Sequence, residues 1–164
     1  MVRSDKKRDV KPTLQIELKD AIYCLSYILK TPVKDVSEWL VLNALKTQEI
    51  IVKLVGYFKR DYVMLDGAVL VGRYDREQYP KIDPGRTEKI TVRFKQVDYA
   101  RIYDLSYCLG VSPSRATAIL LDLSFSHIPT VNKCLQHFVK RDFDENELRE
   151  FKKLNKYVAK KATM

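Results

Sequence analysis

Lys89-Ile90-Thr91-Val92-Arg93-Phe94-Lys95 alternates without a break. Ile90, Val92 and Phe94 fall on one side, and Thr91, Arg93 and Lys95 on the other. A period of two predicts a half-buried strand. The period then changes. From about Asp98, Ile102, Leu105 and Leu109 recur at helical spacing. Gly110 is suited to the left-handed residue that closes a helix. Ser112-Pro113 restarts the chain, with Ser as N-cap and Pro at the first helical position. Ala116, Ile119-Leu120 and Leu123 make the next apolar stripe. After Ile128-Pro129, a third helix carries Val131, Cys134-Leu135 and Phe138-Val139.

The first half of the chain reads the same way. Cys24-Leu25-Ser26-Tyr27-Ile28-Leu29 is echoed 80 residues on by Asp104-Leu105-Ser106-Tyr107-Cys108-Leu109. Phe58-Lys59-Arg60-Asp61-Tyr62 is echoed 81 residues on by Val139-Lys140-Arg141-Asp142-Phe143. Such self-similarity points to an internal duplication that sets the architecture. Thr13 to Lys19 alternates, with Leu14, Ile16 and Leu18 inward and Thr13, Gln15, Glu17 and Lys19 outward, which predicts the first strand. Ile22, Leu25 and Ile28-Leu29 then take helical spacing. Thr31-Pro32 restarts the chain, with Thr31 expected as N-cap. Val36, Trp39-Leu40 and Ala44 line the second helix, and Ile50-Ile51, Leu54-Val55 and Phe58 a third. Matching Leu18 to Phe94 and Leu25 to Leu105 makes the strand-to-helix stretch four residues longer in the second half.

Five segments follow: a basic arm over 1–12, a first unit over 13–62, a hairpin and linker over 63–88, a second unit over 89–143, and a charged helix over 144–164. The apolar hairpin from Val63 to Val71 turns at Asp66-Gly67 and is a candidate surface for self-association. Trp39 is expected in the core.

A net charge of +9 implies an anionic partner, of which nucleic acid is the commonest. Three cysteines without a Cys-x-x-Cys pair make neither a disulfide framework nor a zinc site. His127 and His137 lack a carboxylate at useful spacing, so neither a metal nor a catalytic role is expected of them. With no phosphate loop or nucleophile motif, no enzyme and no cofactor is expected. The opening residues lack an apolar core segment and no long apolar run occurs, so the expectation is a cytoplasmic, nucleoid-associated chain with no membrane partner.

The order strand, helix, Ser/Thr turn, helix resembles the ribbon-helix-helix family of the Arc and Met repressors. Thr91-Val92-Arg93-Phe94 through Leu109-Gly110-Val111-Ser112 to Leu121 carries the resemblance most closely, and Leu14 to Ala44 more loosely. Lys95 stands where the family often has proline, and Glu17 where Arg93 stands in the second unit. The resemblance implies a mostly helical α+β fold, in which the two units of one chain form a pseudo-dimer around a two-stranded antiparallel ribbon. It further implies a DNA-binding repressor, with double-stranded DNA as partner. Gln15, Glu17, Lys19, Thr91, Arg93 and Lys95 would then face the bases. Thr13 at the ribbon end, with Thr31, Val33 and Lys34 and with Ser112, Ser114 and Arg115 at the second-helix N-termini, would contact phosphates. The arm residues Arg3, Lys6, Lys7 and Arg8 would follow the backbone or enter a minor groove. An accessory factor of plasmid or phage DNA processing is a variant of this reading. A protein-interaction or antitoxin-like module and an RNA-binding protein are the alternatives.

Overall fold

Fourteen residues of helix follow each short strand segment that leads into a half of the chain, and the two halves meet along those strands. The computed structural model describes residues 6–82, 85–139 and 142–163. Arg3 and the Lys140-Arg141 echo lie outside them. Strands β1 (Arg8–Val10) and β2 (Thr13–Gln15) lead into helices α1 (Ile16–Leu29), α2 (Val33–Lys46) and α3 (Gln48–Val52), then a 3₁₀ turn at Val55–Tyr57. A hairpin, β3 (Tyr62–Val63) and β4 (Val69–Leu70), precedes the connector. Strands β5 (Thr87–Lys89) and β6 (Val92–Phe94) then lead into α4 (Gln96–Leu109), α5 (Pro113–Phe125), α6 (Ile128–Phe138) and α7 (Glu145–Ala162). The fold is α+β and mostly α.

β1 pairs antiparallel with β6, and β2 with β5. Partner numbers add to 102 in both ladders, as in Arg8 with Phe94 and Thr13 with Lys89, so they share one register. Pro12 has no N–H to donate, which interrupts the ladder between them. Ile90 N–H still reaches the Pro12 carbonyl at 3.3 Å. The result is one ribbon of Arg8–Gln15 against Thr87–Phe94.

The first strand differs from the reading of Thr13 to Lys19. It begins five residues earlier, inside the basic arm, and ends at Gln15. Ile16 N–H donates to the Arg86 carbonyl at 3.0 Å, the last bond to the partner strand, and the chain turns helical there. Ile16 to Lys19 therefore forms the first turn of α1, with Leu18, Ala21, Ile22 and Leu25 on its buried face. The expected four-residue lengthening is also absent. α1 and α4 begin at residues 16 and 96, and α2 and α5 at 33 and 113, a constant offset of 80. Left-handed residues close α1 and α4 at the matching positions Lys30 (φ 51°) and Gly110 (φ 69°).

α2 and α5 cross at the centre, with α1 and α4 outside them. Val36, Leu40, Val41 and Ala44 of α2 and Ala116, Ile119 and Leu120 of α5 are all buried. Leu14, Val92 and Phe94 close this core from the ribbon side. Each such side chain contributes roughly 1.5–3 kcal/mol. α3 is shorter than its counterpart α6; Gly56, with its high backbone entropy, stands where a continued helix would run. Trp39 is only partly buried, between α2 and α6.

The decorations differ between the halves. α7 lies along α1, while the hairpin lies beside α4. Gly72 holds the hairpin close, because a Cβ there would run into the Arg60 backbone. The hairpin leaves Val63, Leu65, Val69 and Val71 exposed. The connector is pinned at Arg76 and Gln78: Arg76 donates to the Val55 carbonyl at 2.6 Å and Gln78 to the Gly110 carbonyl at 3.2 Å. Burial pushes the Cys134 thiol up to about 12 and, with Glu150 adding to it, the Cys24 thiol up to about 11.

Candidate nucleic-acid interface

The ribbon sorts its side chains by parity. Val10, Pro12, Leu14, Ile90, Val92 and Phe94 are buried beneath it. Asp9, Lys11, Lys89, Thr91 and Arg93 stand exposed on the other side, with Thr13 and Gln15 half-exposed. Asp9 opposes Arg93, Thr13 opposes Lys89, and Gln15 opposes Thr87. The shared register sets Lys11 across from Thr91 at the middle. Eight residues of strand span roughly 25 Å.

Arg93 does not extend freely. Its Nε lies 2.9 Å from Asp9 Oδ1, with both side chains about half exposed. An exposed pair of this kind is worth about 0–1 kcal/mol, so it biases the guanidinium without locking it. Arg8 belongs to the ribbon and lies over the Tyr99 ring, 4.2 Å from its centroid. Lys7 pairs with Glu38 of α2 at 2.9 Å. Lys6 is exposed.

A helix N-terminus flanks each end of the ribbon. Thr13, Gln15 and Arg115 line one cleft, which places the start of α5 beside β2. Lys7, Thr31 and Asp35 line another, which places the start of α2 beside the far end. The first N–H groups of a helix have no carbonyl within it. At α5 the cap forms as the sequence predicts: Ser112 Oγ accepts from Arg115 N–H at 3.1 Å, with Pro113 first in the helix. At α2 it does not. Pro32 itself is the N-cap, Val33 begins the helix, and Thr31 Oγ1 donates to the Leu29 carbonyl at 3.0 Å. Lys34 is exposed and Ser114 half-buried. The Arg115 guanidinium donates to the Pro80 carbonyl at 2.7 Å, so the connector holds it.

Three expected base-facing residues are elsewhere. Glu17 and Lys19 lie on α1. Lys19 Nζ pairs with the Glu88 carboxylate and lies 5.1 Å from the Tyr23 ring, away from the outward face. The Glu88 bond raises its pKa, despite opposing desolvation. Lys95 caps α4 just beyond the ribbon. Their places on the outward face belong to Asp9, Lys11 and Lys89, none of which is among the expected base-facing residues. The signal was present: Val10, Pro12 and Leu14 match Ile90, Val92 and Phe94 at an ungapped offset of 80.

Among the described residues no cluster of three His, Cys, Asp or Glu could hold a metal, and no helix is long and apolar enough to cross a membrane. His127 Nδ1 and Thr130 Oγ1 lie 2.8 Å apart, and His137 packs on Trp39. No protein-family profile, curated protein or solved structure matches this chain.

Proposed function

We propose that this chain is a sequence-specific double-stranded DNA-binding protein, a transcriptional repressor built as a ribbon-helix-helix pseudo-dimer within one polypeptide. One observation carries the reading: a two-stranded ribbon drawn from both halves turns a polar face outward between two helix N-termini. A ribbon of this kind fits the major groove, about 12 Å wide. Lys11, Lys89 and Arg93 then meet guanine edges or phosphates, while Thr13, Gln15 and Thr91 supply neutral donors and acceptors. The helix N-termini at Val33-Lys34 and Ser114-Arg115 hold phosphates on either side, which sets position without reading sequence. The net charge of +9 supplies the attraction.

Residues equivalent at the offset of 80 differ on the outward face, Asp9 from Lys89, Lys11 from Thr91 and Thr13 from Arg93, so the preferred site is non-palindromic or only pseudo-palindromic. Selection of bound duplexes from a random pool, followed by footprinting, tests this. A single enriched asymmetric motif is expected, with log affinity falling linearly as log salt rises. Duplex binding that ignores salt, or none at low salt, overturns the reading in favour of a protein-interaction module.

A further inference from the structure

The last helix carries its charge unevenly. Its carboxylates, Glu145, Glu147 and Glu150, all fall in the first six residues of α7. From Phe151 to Thr163 there are five lysines and no carboxylate. Lys153 pairs with Glu150 at 3.1 Å, and Lys161 pairs with Asp122. Lys152, Lys156 and Lys160 recur every fourth residue and so form one row along the helix. All three are exposed, and among the described residues no carboxylate pairs with them. Nothing within the chain accounts for the row. Like charges four residues apart destabilise a helix. The helix dipole favours cations only in the last turn, which takes in Lys160 but neither Lys152 nor Lys156.

α7 runs antiparallel along α1. Phe143, just before α7, lines a cleft with Ile28 and Leu29 at the far end of α1. Cys24 Sγ, midway along α1, donates to the Glu150 carbonyl at 3.2 Å. Two turns further on, Tyr157 comes beside the first turn of α1: burial pushes its hydroxyl up, and the Asp122 and Glu17 carboxylates add to the push. Lys161 ties this end to Asp122 of α5. Asp122 in turn lines the cleft that holds Thr13, Gln15 and Arg115. The cationic end of α7 therefore arrives at the β2 end of the ribbon, two turns of α5 from Arg115, which is roughly 10 Å. The other half differs, because the hairpin lies beside α4 and has no Lys or Arg between Tyr62 and Leu70.

Given the DNA-binding reading, we infer that Lys152, Lys156 and Lys160 form a second phosphate-binding surface, which takes the DNA backbone flanking the ribbon's site on one side only. Charge complementarity selects the occupant. The row is cationic and exposed, and it is continuous with the helix N-terminus at Arg115 that the same reading gives to phosphate. Lysines hold phosphates as point charges and read no base. The row therefore lengthens the footprint and raises the salt dependence while leaving the preferred sequence alone. One-sidedness follows from the fold, since α7 lies on α1 and the hairpin beside α4 carries no matching cations.

The test uses the full chain and its selected duplex with long flanks on both sides. The triple variant Lys152→Ala, Lys156→Ala, Lys160→Ala removes only exposed side chains and puts in a strong helix former, so α7 is kept. Its slope of log affinity against log salt should be shallower than the parent's by about 2–3, one phosphate being lost per lysine. Its footprint should shorten at one end, with the selected motif unchanged. With the parent chain, trimming the flank at that end should lower the slope by the same amount, and trimming the other flank should not. A variant slope equal to the parent's on the long duplex overturns the inference, as does an equal effect of trimming either flank. In both cases the selected motif still stands for the ribbon, whereas a parent chain that selects no duplex removes the DNA-binding reading itself. A variant that loses binding to phosphatidylserine vesicles while its duplex binding is unchanged would assign the row to a membrane surface and overturn the inference too.

Discussion

Asp9 is the residue on which the ribbon's outward face turns. It is the one carboxylate among the central outward positions of the ribbon, and it takes up the guanidinium of Arg93. In DNA the carboxylate would face a negative groove, while Arg93 must leave it to reach a base. Removing Asp9 lifts both penalties. Asp9→Ala should tighten duplex binding by about 1 kcal/mol, whereas Arg93→Ala should cost about 1–3 kcal/mol on the selected site. Fluorescence anisotropy with the selected duplex and a scrambled one measures both. If Asp9→Ala weakens the selected duplex as much as Arg93→Ala does, the pair acts as one reading unit. The idea of a competing carboxylate then fails. Residue-level legibility was uneven for a similar reason. Gly110 announces its left-handed turn because glycine bears that geometry at no steric cost. Lys30 adopts the same geometry with nothing in its side chain to announce it.

At the scale of elements, β6, α4 and α5 were legible because each period runs uninterrupted into a cap that works locally. β1 was not, because Arg8, Asp9 and Lys11 read as a solvated arm and Pro12 as its end. Yet proline sits well in a two-stranded ribbon, where one side of every strand is an edge. The start of α1 was misread because Leu14, Ile16 and Leu18 alternate, although Leu14 and Leu18 are also one helical turn apart. What decides the matter is where the partner strand ends, at Arg86, and that lies far off in sequence. α7 was legible as a charged helix, but its seat on α1 was not. Its start is fixed by a capping box. Asp144 Oδ1 accepts from Glu147 N–H at 2.8 Å, and Glu147 Oε1 accepts from Asp144 N–H at 2.9 Å. Asp144→Ala should cost about 1 kcal/mol. Leu154→Ala, on the buried face of α7 and nearly fully buried, should cost about 2–5 kcal/mol. Urea unfolding measures both. A Leu154→Ala loss no larger than that of Asp144→Ala would mean that α7 is not seated on α1 in solution.

At the scale of the molecule, the halves match in their cores and differ where they meet solvent. The offset of 80 holds at the starts of three helix pairs, and through the ribbon it pairs Asp9 with Lys89, Lys11 with Thr91, and Thr13 with Arg93. The backbone is therefore close to two-fold symmetric at the ribbon, and the outward side chains are not. Asymmetry of the preferred site would then reside in three side chains of the first strand. The triple variant Asp9→Lys, Lys11→Thr, Thr13→Arg gives both strands the same outward residues. It sets like charges opposite each other at the 9–93 and 13–89 positions, which costs about 0.2–1 kcal/mol per pair in stability. It adds one Lys/Arg to the outward face, so the slope of log affinity against log salt should steepen by about 1 where that cation meets a phosphate. Selection from the random pool should now return a palindrome whose half-sites match the part of the parent motif read by Lys89, Thr91 and Arg93. An unchanged asymmetric motif would place discrimination in the connector or the helix N-termini. The ribbon would then be a positioning element only.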